Sequence, residues 1–150
     1  MADFEPTQAP DLEEVRQRAY QSGIFQLLGT RIDKVQDGTG AVHLHVDARL
    51  YHGQQIVHGG VIFTLADTAM SMALLSVLPP NTPFSTIEAK INYIRPVRTG
   101  EIAAEATLVH HGRSTAVLEC SVYNINEDER KIIARVLGTF HIQRQETARA

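Results

Sequence analysis

From residue 58 to residue 78 the chain reads HGGVIFTLADTAMSMALLSVL, apolar almost throughout. A glycine pair opens this run and Pro79-Pro80 closes it, which predicts a helix from about Gly60 to Val77. Upstream, DLEEVRQRAY places acids first and arginines last, the order that suits a helix dipole, and predicts a short helix. SGIFQLLG adds a helical turn before Gly29. TRIDKVQDG predicts a strand ending in the turn Asp37-Gly38. AVHLHVD alternates, with Val42, Leu44 and Val46 on one face and His43 and His45 on the other. LYHGQQIV reads as a polar loop. Four more strands are predicted: STIEAKINYIRP, with Ile87, Ala89, Ile91 and Tyr93 opposing Glu88, Lys90 and Asn92; EIAAEATLVHH; STAVLECSVYNI; and KIIARVLGTFHI after the charged turn NEDER. Short polar turns between them suggest an antiparallel meander. Residues 1 to 9 read as a loose arm and QRQETARA as a frayed tail.

This order of elements predicts an α+β fold: a curled antiparallel sheet of about five or six strands wrapped around one long central helix. Such a sheet has open edges, and pairing two copies edge to edge covers them. Length and composition add limits. The 150 residues suit one domain, and 43% hydrophobic with 21% charged residues suits a soluble globular chain with a real core. A formal charge of -3 gives no field for nucleic acid or anionic lipid, and no basic recognition helix or zinc-finger spacing is present. Residues 61 to 78 are long enough to raise a membrane span, but Asp67 near the centre argues against one. The single cysteine, Cys120, rules out a disulfide within the chain. The acidic opening lacks the layout of a secretory signal or transit peptide. The expected compartment is the cytoplasm.

At 100° per residue, Gly60, Thr64, Asp67 and Ser71 fall within about a 60° arc of the central helix. The helix is apolar elsewhere, so this narrow seam must meet water, a ligand or a partner subunit. Asp67 is either a structural acid held by hydroxyls and backbone N–H groups, or a catalytic carboxylate. Gly59 and Gly60 open the helix, where backbone N–H groups lack partners and the dipole is positive. Glycine admits close approach, so this end can hold a developing oxyanion; losing such a donor costs roughly 3–4 kcal/mol of transition-state stabilisation. Gly59 and Asp67 are about 12 Å apart along a helix. One carbonyl cannot touch both groups of the same chain. If both act on it, two chains supply them.

VHGGVIFTLADTAMSMAL resembles the core of the hotdog-fold acyl-CoA thioesterases, particularly the phenylacetate-degradation type. IEAKINYIRPVRTGE, HHGRSTAVLECSVYN and KIIARVLGTFHI resemble the strands that follow in that family, so the likeness covers about residues 30 to 142. A helical arm, residues 10 to 28, precedes that core within a single domain spanning residues 1 to 150. The resemblance implies dimers, often paired into tetramers, that hydrolyse a coenzyme A thioester. Asp67 matches the family's catalytic acid, as nucleophile or as base for water, and Gly59 the backbone N–H that polarises the carbonyl. Ser71 and Thr86 match positions where a hydroxyl helps position water or the acid. The stretch His110, His111, Gly112, Arg113, Ser114, Thr115 resembles the segment that contacts coenzyme A, with Tyr93 and His141 as weaker candidates. His58 and Gly60, flanking Gly59, complete the expected substrate contacts. One departure is His52, six residues before His58, where the family usually has Asn or Gln; Gln55 is kept.

Other residues were weighed against simpler roles. His58 more readily shapes the loop than acts as a base. His43 and His45 lack an acid or cysteine at ligand spacing, so a solvated strand face is the better reading and no metal is expected. His110-His111 beside Arg113 reads equally as an anion-binding turn or a plain loop. Cys120, on the same side as Ala116, Leu118 and Val122, reads as a small buried hydrophobe. Arg95, Arg98 and Arg113 could meet phosphate, since Arg forks suit it, with scattered surface charge the simpler reading of Arg95 and Arg98. Ala66, Ala69 and Ala73 leave space beside the helix. No serine-hydrolase elbow or phosphate loop is present. The expected activity is hydrolysis of aryl- or medium-chain acyl-CoA by a homodimer or homotetramer, with no cofactor beyond the coenzyme A of the substrate. A non-catalytic acyl-CoA binding module is the alternative, and a dehydratase ranks below both.

Overall fold

The structure, a computed structural model, describes residues 9–143. Apart from Ala9 and Gln143, the arm and tail expected at the two ends lie outside the described residues. The first helix, α1 (Leu12–Tyr20), is capped by Asp11, whose carboxylate accepts from the Glu13 and Glu14 N–H groups. Helix α2 (Gly23–Leu28) ends at Gly29, which adopts the left-handed conformation common at helix C-termini. Strands β1 (Arg31–Gln36) and β2 (Thr39–His45) form a hairpin through Asp37 and Gly38, both at positive φ. The long helix α3 spans Gly59–Leu75, and β3 (Phe84–Tyr93), β4 (Glu101–His111), β5 (Thr115–Asn126) and β6 (Glu129–Ile142) follow.

All six strands join one antiparallel sheet in the order β1-β2-β4-β5-β6-β3. Of the four-strand meander expected after the long helix, β4, β5 and β6 form one, whereas β3 returns to the far edge beside β6 instead of pairing with β4. Helix α3 packs chiefly on β2, β4 and β5. Its apolar face and the inner face of the sheet form the core, with Phe140, Leu44, Leu65, Leu74, Ile102 and Leu118 essentially inaccessible to solvent. Burying each such side chain contributes about 1.5–3 kcal/mol relative to leaving it exposed.

Several expectations shift in detail. Helix α3 ends at Leu75, two residues before the predicted Val77. The Ser76 hydroxyl donates to Ala73 O and accepts from the Gly38 N–H, so this buried side chain closes the helix ahead of the prolines. Ala66, Ala69 and Ala73 leave no open space: all three are fully buried and let the helix lie close to the sheet. The closest approach is at Gly40, where a Cβ would collide with Ala69 O and lie 2.5 Å from Ala73 N. The alternation predicted for β3 is broken at Ile87, the extra residue of a bulge between Thr86 and Glu88. The loop before α3 includes a short 3-10 helix, Ala48–Leu50, and buries Leu50 and Val57.

Candidate active site

The start of α3 is held from three sides. The His58 N–H donates to Leu50 O at 2.8 Å and the Val57 N–H to Val97 O at 2.9 Å, so the chain enters the helix from a fixed direction. His58 is the N-cap residue: its Nδ1 accepts from the Gly60 N–H at 2.9 Å. A ring nitrogen that accepts carries no proton, so the neutral ring has its hydrogen on Nε2. Tyr93, the last residue of β3, donates its hydroxyl to Gly59 O at 2.7 Å. Burial raises the Tyr93 pKa, which keeps the proton available for donation. A Cβ on residue 59 would meet the Tyr93 ring at 3.0 Å, so only glycine fits without moving it. The Gly59 N–H finds no acceptor among the described residues. It borders a cleft of about 320 Å³ lined also by His52, Ile56, Ile62, Tyr93, Ile94 and Arg95.

His52 stands at the mouth of this cleft, its ring 6.5 Å from that of His58 and nearly perpendicular to it. Its Nδ1 accepts from the Gln54 N–H at 3.2 Å. Gln55 occupies a positive-φ position in the tight turn between His52 and Ile56. The Arg98 guanidinium donates to Gln54 O and Gln55 O, and Arg95 donates to Ile132 O at 2.7 Å. Both arginines therefore brace backbone, a use that scattered surface charge did not foresee.

Two turns further along α3 the seam carries the acid. Asp67 is half-buried and accepts from the Thr86 hydroxyl across to β3 at 2.7 Å. Ser71, one turn on, is also half-buried. Thr64 donates its hydroxyl back to Gly60 O at 2.8 Å, which commits that proton to the helix. The seam's polar chemistry thus rests on Asp67 and Ser71, on the side of α3 that faces the β3 edge.

Register places the remaining candidates. Thr86 pairs with Phe140, Phe140 with Ala116, and Ala116 with His111, so these residues form one row across β3, β6, β5 and β4. His141 pairs with Thr115 and Ser85 in the next row. The turn Gly112 to Ser114 therefore lies at the same end of the sheet as Asp67, three strand spacings from β3, roughly 14 Å. His110 and His111 belong to β4 itself, and burial followed by the His110 charge lowers the His111 pKa. Gly59, His52 and Tyr93 lie at the opposite end of β3. One protomer holds the N–H donor and the acid apart. The larger groove, about 500 Å³ between α1, α2 and the end of α3, holds none of the candidate catalytic residues.

A sequence profile of the Thioesterase superfamily matches residues 54–131, from the loop before α3 into β6. The chain belongs to the thioesterase superfamily. An acyl-coenzyme A thioesterase of Escherichia coli, PaaI, is 30% identical over 115 residues, 76% of this chain and 78% of that relative. Its solved structure, described as from the phenylacetic acid degradation operon, aligns with a TM-score of 0.78 at 26% identity, over 88% of this chain and 92% of that one. The 1,4-dihydroxy-2-naphthoyl-CoA hydrolase of Listeria monocytogenes is 28% identical over 105 residues, 70% of this chain and 85% of the relative. A thioesterase structure from Haemophilus influenzae, at 24% identity, shares the fold with a TM-score of 0.83 over 98% of this chain and 99% of its own. The resemblance read from the sequence therefore holds: this is a hotdog thioesterase of the phenylacetate-degradation type, and a thioester hydrolase.

Other groups of this thioesterase have structural surroundings. Cys120 is 2% exposed and burial pushes its thiol up to about 12, so it is no nucleophile. His43 pairs with the Asp33 carboxylate at 2.8 Å on the outer sheet face. Among the described residues no three ligating side chains gather for a metal, and no helix is long and apolar enough to cross a membrane. The link from Tyr93 to Gly59 has no counterpart in sequence reasoning, because residues 34 apart meet only after the sheet forms. The His58 cap was not legible, since the glycine pair put the helix start at about Gly60 and histidine is not among the usual N-cap residues.

Proposed function

We propose that this enzyme hydrolyses acyl-CoA thioesters with aryl or medium-chain acyl groups, using two chains for each site. The thioester carbonyl rests on the Gly59 N–H of one protomer. Asp67 of the other attacks the carbonyl carbon, or takes a proton from the water that does. Negative charge collects on the carbonyl oxygen, where the N–H and the positive helix end stabilise it. The C–S bond then breaks and coenzyme A leaves as its thiol: in the base route it takes the proton that Asp67 removed from water and the free acid departs at once, and in the nucleophilic route it takes a proton from solvent while the acyl group stays on Asp67. In the nucleophilic route, water then cleaves the acyl–Asp67 anhydride. Thr86 holds Asp67 through the observed hydroxyl contact, while Ser71 and His52 assist with water and carbonyl.

One observation carries this reading: donor and acid sit at opposite ends of β3, an edge strand whose outer side no strand covers among the described residues. Antiparallel pairing of two β3 strands about their midpoint, between Ala89 and Lys90, lays the Thr86 end of one copy against the Tyr93 end of the other. That supports a homodimer; a tetramer is a pairing of two such dimers. Exposed Ile87 and Ile94 along this edge favour the pairing. The relatives named for an acyl-CoA and a naphthoyl-CoA substrate support coenzyme A thioesters. Exposed Arg113, at the Asp67 end, suits the phosphates of coenzyme A.

The test is thiol release from a panel of aryl- and fatty-acyl-CoAs by wild type and Asp67→Asn. The variant should lose several hundredfold or more in kcat with its oligomer intact, on the order of a lost catalytic group. No turnover by wild type, with acyl-CoA bound equally by both proteins, sinks the enzymatic reading in favour of a binding module.

A further inference from the structure

The peptide unit joining Gly59 to Gly60 is gripped at both ends. Its carbonyl oxygen accepts from the Tyr93 hydroxyl at 2.7 Å, and its N–H donates to His58 Nδ1 at 2.9 Å. The two partners come from different elements, one ending β3 and one preceding α3. Glycine at 59 and 60 has wide conformational freedom, and the first turn of a helix is its loosest, so these contacts add to the helix's own bonding in fixing this peptide and, through it, the neighbouring Gly59 N–H. A donor that is to meet a carbonyl must already point at it, since reorientation during reaction forfeits its advantage.

We propose that Tyr93 and His58 form a clamp on the Gly59–Gly60 peptide that aims the Gly59 N–H into the cleft. Both are positioning residues. This rests on the reading of Gly59 as the carbonyl's donor, and it gives Tyr93 a task other than contact with coenzyme A. Because Tyr93 ends β3, the clamp also ties donor geometry to the strand that pairs the two copies in the proposed dimer.

Three variants and one spectrum test it. Tyr93→Phe keeps the ring beside Gly59 and deletes the hydroxyl; His58→Ala removes the cap; His58→Asn supplies another N-cap acceptor. Tyr93→Phe and His58→Ala should each lower kcat roughly ten- to a hundredfold, the scale of a misplaced group, with KM changed less than about twofold. The double variant should be little worse than the poorer single one, because both act on one peptide. His58→Asn should recover most of kcat. In protein labelled with 15N-glycine, which has ten glycines, Tyr93→Phe should move the Gly60 amide signal.

Unchanged kcat in Tyr93→Phe, a rise in KM alone, or strictly additive losses would overturn the clamp. Should Tyr93→Phe disturb the oligomer, the two His58 variants decide, since that residue lies off the edge strand. Failure of the thioesterase reading looks different: wild type releases no thiol, or Asp67→Asn keeps full turnover, while the Gly60 signal still reports whether the clamp exists.

Discussion

At Asp67, a hydroxyl decides how the carboxylate sits. One of its oxygens is held by Thr86 at 2.7 Å, which in the proposed mechanism leaves the other for the carbonyl carbon or for water. Thr86→Val keeps the shape and deletes that bond, so kcat should fall roughly tenfold, about the worth of one hydrogen bond to a charged group, while Thr86→Ser keeps most of it. Steady-state kinetics on the best substrate of the panel checks this. Cys120 offers a contrasting case, a titratable group whose environment silences it. Its folded pKa is raised from 9.0 to about 12 by burial, with Glu105 the neighbouring backbone and charge. Below pH 9.0 folded and unfolded thiols both hold their proton. From there up to about 12 only the unfolded thiol ionises, so stability falls as pH rises through that window. Urea denaturation at pH 8 and pH 10.5, wild type beside Cys120→Ala, should show a steeper alkaline loss in wild type. Equal slopes would mean that the thiol reaches solvent.

Helix α3 and the sheet are fitted backbone to backbone. Buried Ala69 and Ala73 on the helix meet Gly40 on β2, and Gly138 on β6 lies against Met70. These small residues are spent on closeness rather than on room for an acyl group. Gly40→Ala should therefore destabilise by about 3 kcal/mol, the upper end of overpacking costs, because the obstructing atoms are helix backbone and cannot rotate away. A lowered urea midpoint with an unchanged slope is the expected signature. Strand β3 shows the opposite economy. Its bulge at Ile87 breaks the alternation between the two residues that matter most at that end, Thr86 and Glu88, and lets Thr86 reach Asp67 while Glu88 accepts from Thr139 on β6.

For the whole molecule the question is how many chains make one site. In the proposed dimer each site takes its donor from one copy and its acid from the other. Asp67→Asn and Gly59→Pro should each be inactive; proline suits the backbone of the first helical position but deletes the N–H, and its Cβ displaces Tyr93 of the same chain, so only the donor half of that chain is lost. Mixed and refolded together, they should regain about a quarter of wild-type activity, since half the dimers are mixed and each mixed dimer has one intact site. No recovery from a mixture that does exchange subunits would return the site to a single chain. Ile87→Lys, placing a charge on the exposed β3 edge, should shift the protein toward monomer in sedimentation and lower turnover in parallel.

Most elements were legible in the chain alone, and so was the acid on its seam. Apolar periodicity, the Asp37-Gly38 turn, the glycine pair before α3 and the prolines after it are local signals, and local signals place helices and strands. The spacing of Gly59 and Asp67 along one helix even implied that two chains must supply them if both act on one carbonyl, because helix rise is a constant. Partnerships between distant segments were not legible. Tyr93 on Gly59 and the return of β3 to the edge beside β6 depend on which strands pair and in what register, and Thr86 beside Asp67 was foreseen only through the family resemblance. Register is a property of the packed sheet: a slip of one residue turns every side chain to the other face, and only burial of the core selects among the possibilities.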